Sequence, residues 1–218
     1  MDQIWEDIHA SREWGRYPGE HIIRFMANNY GKSGKDRSLV KVLDFGCGQG
    51  ASTWYLSREG YDTYAFDGSE SAVIKTRKRL EEEHLHAKVE CMNGTELEYP
   101  EAFFDAVIDN ACVYANRIAD IKKMYRMIHA ILKEGGKLIT VCFGDETDGV
   151  KSGEEIEPHS FTGIQEGVLK ERGLSHIFSE KELKDLLYEA GFSEVVVDWS
   201  KYTVNRVLVH QLICQAVK

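Results

Sequence analysis

Between Val42 and Gly50 the chain reads VLDFGCGQG, an apolar strand that ends beside a carboxylate and passes through a G-x-G-x-G turn straight into a helix. Such a turn requires glycine, which alone takes positive φ without strain and lets another group approach the backbone. A strand this apolar is buried on both sides, so helices have to cover two faces of a parallel sheet. The flanking sequence repeats the same unit. From Leu39 to about Phe143 short apolar runs alternate with amphipathic stretches, which predicts strands at 40–45, 62–66, 87–92, 104–109 and 137–143. Helices are predicted at 51–58, from a Ser69 or Ser71 cap to about His84, and at 118–132 with Gly135-Gly136 as the stop.

Beyond Phe143 the pattern changes. Residues 144–175 are polar, rich in glycine and without persistent periodicity, as in loops that act as lids. Ser179 and Glu182 make a capping box for a helix that ends near Ala190-Gly191. Strands at 194–199 and 207–217 follow with no helix between them, and strands joined in that way pair antiparallel. Ahead of the first strand, Ile22, Ile23, Phe25 and Met26 fall at a helical rhythm behind Trp5, Trp14, Arg16 and Tyr17. The expected fold class is α/β, a doubly wound and mostly parallel seven-stranded sheet with an antiparallel C-terminal hairpin strand. One domain over 1–218 is expected, with an N-terminal helical cap at 1–30 and a lid or substrate insertion at 144–175.

Composition narrows the partners. In 218 residues, 27 Lys and Arg oppose 36 Asp and Glu, a formal net charge of −9, and such a surface repels phosphate backbones and anionic lipid. Nucleic acid and membrane are therefore not expected as partners. No run approaches the roughly 20 apolar residues of a membrane span, and the start MDQIWEDIHA has neither the basic nor the apolar region of a secretion signal, so a cytoplasmic location is expected. Cys47, Cys91, Cys112, Cys142 and Cys214 never fall in a C-x-x-C spacing. They read as free, mostly buried thiols, and no metal site is expected.

Gly46, Gly48 and Ala51 also satisfy the G-x-G-x-x-G/A pattern of dinucleotide sites, so the turn alone marks only a nucleotide-like site. Asp44 separates the possibilities. Its carboxylate would oppose a pyrophosphate and favour the ammonium of a methionyl group, directly or through water. Roughly 20 residues on, Asp67 ends the second strand, where a carboxylate can accept from both hydroxyls of a ribose. Asn93-Gly94 ends the third strand, with a side-chain amide and a backbone N–H suited to the edge of an adenine ring. These segments emerge at the carboxyl ends of adjacent strands, where open α/β sheets bind ligands.

VLDFGCGQG, Asp67 within YAFDGSESAV, FDAVID and MYRMIHAILKEGGKLI resemble the successive motifs of class I S-adenosylmethionine-dependent methyltransferases over residues 39–143. FSEKELKDLLYEAGF and the closing hairpin are similar to that family's last helix and final two strands. The resemblance implies a Rossmann-like methyltransferase fold, S-adenosyl-L-methionine as cofactor and S-adenosyl-L-homocysteine as product. It places Asp44, Gly46 and Gly48 at the methionyl group, Asp67 at the ribose, and Asn93 with Gly94 at the adenine, and Cys47 and Gly68 are further cofactor-binding candidates. Asn93 stands where Asp is commoner. Asn110 completes the cofactor residues, in a fourth-strand loop that reads Asp109-Asn110-Ala111 and not N-P-P-Y.

Methyl transfer from a sulfonium is an in-line displacement that needs alignment and exclusion of water more than it needs a base. For a hydroxyl acceptor, His159 and His176 flank the expected lid and are the candidate catalytic bases. Tyr17 in the cap and Tyr114 after the fourth strand are candidates for the acceptor pocket. The expected acceptor is a small molecule, a metabolite or sugar-like compound. The alternatives are a noncatalytic cofactor-binding protein and an NAD-dependent oxidoreductase, and Asp44 and the hairpin argue against the second.

Overall fold

The computed structural model describes residues 3–31, 34 and 36–218, so positions 1 and 2 of the expected cap lie outside the described residues. Its strands are β1 (Lys41–Phe45), β2 (Asp62–Asp67), β3 (Lys88–Cys91), β4 (Phe104–Asn110), β5 (Leu132–Phe143), β6 (Glu154–Glu157), β7 (Ser160–Thr162), β8 (Ser175–His176), β9 (Ser193–Val204) and β10 (Val207–Val217). Seven of them form one sheet in the order β3-β2-β1-β4-β5-β10-β9. Pairing is parallel from β3 through β5, and β10 runs antiparallel to both of its neighbours. This is the expected doubly wound fold. The chain leaves β1 on one side to build β2 and β3 and returns on the other to build β4, so the crevice between β1 and β4 opens at the carboxyl ends of the strands.

The helices are α1 (Gln3–Ser11), α2 (Glu20–Met26), α3 (Ala51–Arg58), α4 (Glu70–Glu82), α5 (Ile118–Ile131) and α6 (Glu180–Glu189). Neighbouring residues of one strand serve opposite faces. Leu43 and Phe45 pack in a core with Ile121, Met124, Tyr125 and Ile128 of α5 and Leu183 and Leu187 of α6. Val42 packs instead with Ile22, Phe25 and Met26 of α2 and Leu56 of α3. Under α4, Val73 and Leu80 cover Ala65 and Val89. Among the described residues no helix is long and apolar enough to cross a membrane.

Three local outcomes differ from expectation. Helix α5 stops at Ile131, and Leu132 enters the sheet opposite Phe104, after which pairing resumes with Ala106 opposite Lys137. The intervening residues bulge out, and Gly135 serves that excursion with φ 72° rather than stopping a helix. Residues 144–175 are not one irregular loop: a short helical turn at Val150–Ser152 and the three-stranded antiparallel sheet β6-β7-β8 lie within or at the end of it. Strands of four, three and two residues are too short for alternation to show in sequence. All five cysteines are free, yet Cys91 is exposed, because β3 is an edge strand with only Val89 turned inward.

The caps fall as the sequence predicts. Ser69 caps α4 by accepting from the Ala72 N–H at 3.1 Å, and Ser179 caps α6 by accepting from the Glu182 N–H at 3.2 Å. The two-residue turn between β9 and β10 is Asn205-Arg206, with φ 50° and 70°, the positive-φ pair that suits a tight hairpin. Ser69 has a second role: its hydroxyl donates to the Glu6 carboxylate at 2.6 Å, and the Ser71 N–H donates to the same oxygen at 3.3 Å. Helix α1 is thereby anchored on the first turn of α4, and the carboxylate also complements the positive end of that helix. Ser69→Ala removes cap and anchor together and is expected to cost about 1–2 kcal/mol, lowering Tm by roughly 2–4 °C per kcal/mol. A thermal melt unchanged from wild type contradicts this reading of Ser69.

Candidate active site

The turn after β1 is closed by contacts that exclude larger residues. Gly46 has φ 71°, and a Cβ there would lie 2.1 Å from Cys112 Sγ. Gly50 has φ 80°, and a Cβ there would lie 2.6 Å from Thr76 Cγ2. Between them Gly48 takes φ 51°, its carbonyl accepting from Thr76 Oγ1 at 2.9 Å. The Cys47 N–H donates to the Phe66 carbonyl at 2.8 Å, which ties the turn to the exit of β2.

Two buried carboxylates face the turn. Asp44, 2% exposed, accepts from Thr53 Oγ1 of α3 at 2.6 Å. Burial pushes its pKa up to about 7 against the opposing hydrogen bond from Thr53. Asp67 accepts from the Gly48 N–H and from the Ser69 N–H, each at 2.8 Å. Burial raises its pKa as well, opposed by those two amides and by His9. Behind the β4 exit, the buried Asp109 accepts from the N–H groups of Cys112 at 2.9 Å and Val113 at 3.1 Å and from Thr140 Oγ1, and burial raises its pKa to about 6. This bond set curls the segment after β4 so that Cys112 meets Gly46.

A cavity of about 470 Å³ opens above the turn. Asp44, Gly46, Cys47, Gly48, Asp67, Gly68, Asn93, Gly94 and Asn110 line it, together with Tyr114, Asn116, Phe143, Val168, Arg172, Tyr202 and Gln211. Trp5, His9, Trp14 and Gly15 form a roof from the N-terminal segment. Gln49, inside the glycine turn, fastens that roof: its amide donates to the Arg12 carbonyl at 2.8 Å and its carbonyl accepts from the Trp14 N–H at 3.0 Å. Lys75 of α4 donates to the same Arg12 carbonyl at 3.0 Å.

Comparison with known proteins agrees with this geometry. A family profile described as "Methyltransferase domain" matches residues 42–136, from β1 through the start of β5. That match identifies a methyltransferase domain in this part of the chain. The chain is 44% identical over 49 residues to the probable S-adenosyl-L-methionine-dependent methyltransferase TehB of Haemophilus influenzae, a match covering 22% of this chain and 17% of that protein. It is 25% identical over 173 residues to phosphoethanolamine N-methyltransferase 3 of Arabidopsis thaliana, covering 79% of this chain and 32% of that protein. The chain thus spans a third or less of these two curated relatives. The fold is similar to that of Burkholderia thailandensis 1,6-didemethyltoxoflavin-N1-methyltransferase, with a TM-score of 0.67, 24% identity, and coverage of 91% of this chain and 78% of that one.

The cofactor of this methyltransferase family is S-adenosylmethionine, and the residues present fit it. Asp44 and Asp67 are buried carboxylates with no cationic side chain in an ion pair with either among the described residues. An ammonium brought beside Asp44 would compensate the charge that burial penalises. Asp67 spends two acceptor sites on amides, and a carboxylate offers about four. No helix-turn phosphate cradle free of carboxylates is present at this turn, which disfavours a pyrophosphate.

The sequence-predicted residues divide clearly. All nine cofactor candidates and Tyr114 line the cavity. Tyr17 does not: it is 72% exposed and packs edge-on against Trp54, 5.4 Å between centroids, because the irregular segment after α1 turns Trp14 inward instead. His159 and His176 are also outside the lining, which removes them as bases for chemistry in the cavity. His176 is fully buried, with Nδ1 2.7 Å from Ser160 Oγ, and both histidines face Glu182 of α6, at 3.2 Å from His159 and 3.3 Å from His176. They join the small β6-β7-β8 sheet to α6. Elsewhere Asp145, Glu146 and His210 converge within 4.8 Å, but Lys201 holds Glu146 at 2.6 Å and His210 Nδ1 accepts from the Glu146 N–H at 3.4 Å. Sequence reasoning missed His9, Gln49 and Arg172; of these only Gln49 had a signal, its place inside the turn.

The raised pKa of Asp44 sets a pH dependence. In the ligand-free protein its neutral form contributes stability that is fully present below about pH 4 and is lost as pH rises through about 7. An ammonium ligand favours the ionised form, so affinity for S-adenosylhomocysteine is expected to rise with pH, by up to about tenfold per unit between pH 5 and 7, and to level off above. Calorimetric titrations across that range should show the rise in wild type and a flattened profile in Asp44→Asn. An equal slope in both proteins would assign the dependence to Asp67 or another group.

Proposed function

We propose that this chain transfers the methyl group of S-adenosylmethionine to a small-molecule acceptor, within a single domain whose N-terminal cap and insertion close two sides of one cavity. The observation that carries this reading is the breadth of the cavity lining: besides the candidate cofactor residues it includes Tyr114, Phe143, Arg172, Tyr202 and Gln211, with Trp5, His9 and Trp14 from the N-terminal segment. Lining beyond the candidate cofactor residues supports an enzyme with room for an acceptor over a protein that only binds the cofactor. The roof supports a small acceptor over a polymer, although relatives of similar identity carry names with protein acceptors as well as small ones. The net charge of −9 supports neither DNA nor RNA.

Bound in this cavity, S-adenosylmethionine supplies an already activated sulfonium methyl. In this reading the protein positions and desolvates. Asp44 receives the ammonium, the Gly46–Gly48 backbone passes under the methionyl chain, Asp67 accepts from the ribose hydroxyls, and Asn93 and Gly94 meet the adenine edge. Asn110, whose Oδ1 lies 3.3 Å from His21 Nε2, and Cys112 also line the cavity. Alignment in a water-poor cavity accounts for most of the acceleration such a displacement needs.

Calorimetry with S-adenosylmethionine, S-adenosylhomocysteine and NAD tests the reading. The first two are expected to bind in the micromolar range and NAD not at all. Asp67→Ala should weaken S-adenosylhomocysteine binding by about tenfold or more through lost hydrogen bonds to a charged acceptor. Binding of NAD alone, or unchanged affinity in a folded Asp67→Ala protein, would overturn it.

A further inference from the structure

The charged side chains that line the cavity do not pair with one another among the described residues. Asp44 and Asp67 are its aspartates, and Arg172 is the one permanent cation in the lining among the described residues. It comes from the insertion, between β7 and β8. Its sequence neighbour Glu171 does not neutralise it: that carboxylate is exposed and pairs with Arg12 at 3.6 Å and Lys170 at 3.9 Å. Arg172 itself makes no ion pair among the described residues, in a chain where acids outnumber bases 36 to 27.

The contacts of Arg172 hold it in place without cancelling its charge. The guanidinium lies over the Trp14 ring, 5.0 Å from its centroid, a stacking contact that leaves the N–H edge free. Its charge also acts on the hydroxyls of Tyr114 and Tyr202, opposing the upward push of burial on each pKa. Arginine can only donate, so a tyrosine hydroxyl turned toward it would accept and keep its own proton to donate elsewhere. A half-buried guanidinium flanked by hydroxyl donors, with no carboxylate opposite, is complementary to a planar or tetrahedral oxyanion. The lining also includes the apolar Phe143, Val168, Val204 and Val209, beside the uncharged polar Asn116 and Gln211.

We propose that the methyl acceptor carries an anionic group, a carboxylate or a phosphate monoester, that Arg172 binds together with the hydroxyls of Tyr114 and Tyr202, while its apolar body packs on Phe143, Val168, Val204 and Val209. This deepens the methyltransferase reading and rests on it. Arg172 then sets both the choice of acceptor and its orientation, and its stack on Trp14 joins acceptor recognition to the roof over the cofactor.

The test uses protein saturated with S-adenosylhomocysteine and three probes of similar shape: benzoate, phenyl phosphate and the neutral benzamide, each titrated calorimetrically. At least one anion is expected to bind about tenfold or more tighter than benzamide, and the stronger of the two identifies carboxylate or phosphate as the group recognised. Arg172→Gln should abolish that preference, and Arg172→Lys should restore part of it as a point charge without the fork. Affinity for S-adenosylhomocysteine in Arg172→Gln should change by no more than the about threefold that a lost cation–π contact accounts for. Equal binding of all three probes, or an anion preference that survives in Arg172→Gln, overturns the inference and leaves the methyltransferase reading standing. Failure of folded wild-type protein to bind S-adenosylhomocysteine overturns both, and the first titration reads that outcome separately.

Discussion

The carboxylate of Asp67 holds the site together. By accepting from the Gly48 N–H and the Ser69 N–H it joins the turn after β1, the end of β2 and the start of α4. Each of those three then carries something further. The turn presents Asp44 and places Gly46 against Cys112; α4 begins at Ser69, which receives Glu6 and with it α1; α1 brings Trp5 and His9 over the cavity. A buried acceptor bonded to two backbone amides is a strong constraint, because an amide left unpaired there costs about 1–3 kcal/mol. The candidate cofactor residues and the N-terminal segment over them are thus organised around one side chain.

The roof differs from the floor in how it is held. Strand pairing and two hydrophobic layers fix the floor, whereas between α1 and α2 the chain is irregular and is fastened by Gln49, Lys75 and the stack of Arg172 on Trp14. Segments held by a few side-chain contacts open at far lower free energy than the core. That places the readily opened part of the molecule over the ligand cavity, where passage of cofactor and product would require it. The same cavity is lined by two carboxylates and one guanidinium, which form no ion pair with one another among the described residues.

Much of this was legible in the sequence, for local reasons. Strand β1, its turn and α3 are specified by residues adjacent in the chain, and Ser69 and Ser179 announce their helices by capping chemistry alone. The choice of Asp67 and Asp44 as candidate ribose and methionyl carboxylates follows from their places at strand ends. What was not legible depends on pairings between distant segments. His159 and His176 sit in strands of a few residues whose partners lie elsewhere, so nothing local shows that Glu182 and Ser160 engage them. The choice of Trp14 over Tyr17 as the inward residue is made by Gln49, 35 positions on from Trp14. Arg172 carries no motif at all; its meaning comes from where Glu171 points and which aromatic rings surround it.

The most direct test is a crystal structure of the protein with S-adenosylhomocysteine. It should show the amino group of the ligand at the Asp44 carboxylate, directly or through one water, and the ribose hydroxyls on Asp67, with Trp14 and Arg172 still closing the cavity. A ligand whose amino group lies away from Asp44, or whose ribose avoids Asp67, would contradict the assignment of the turn and its two carboxylates as the cofactor site.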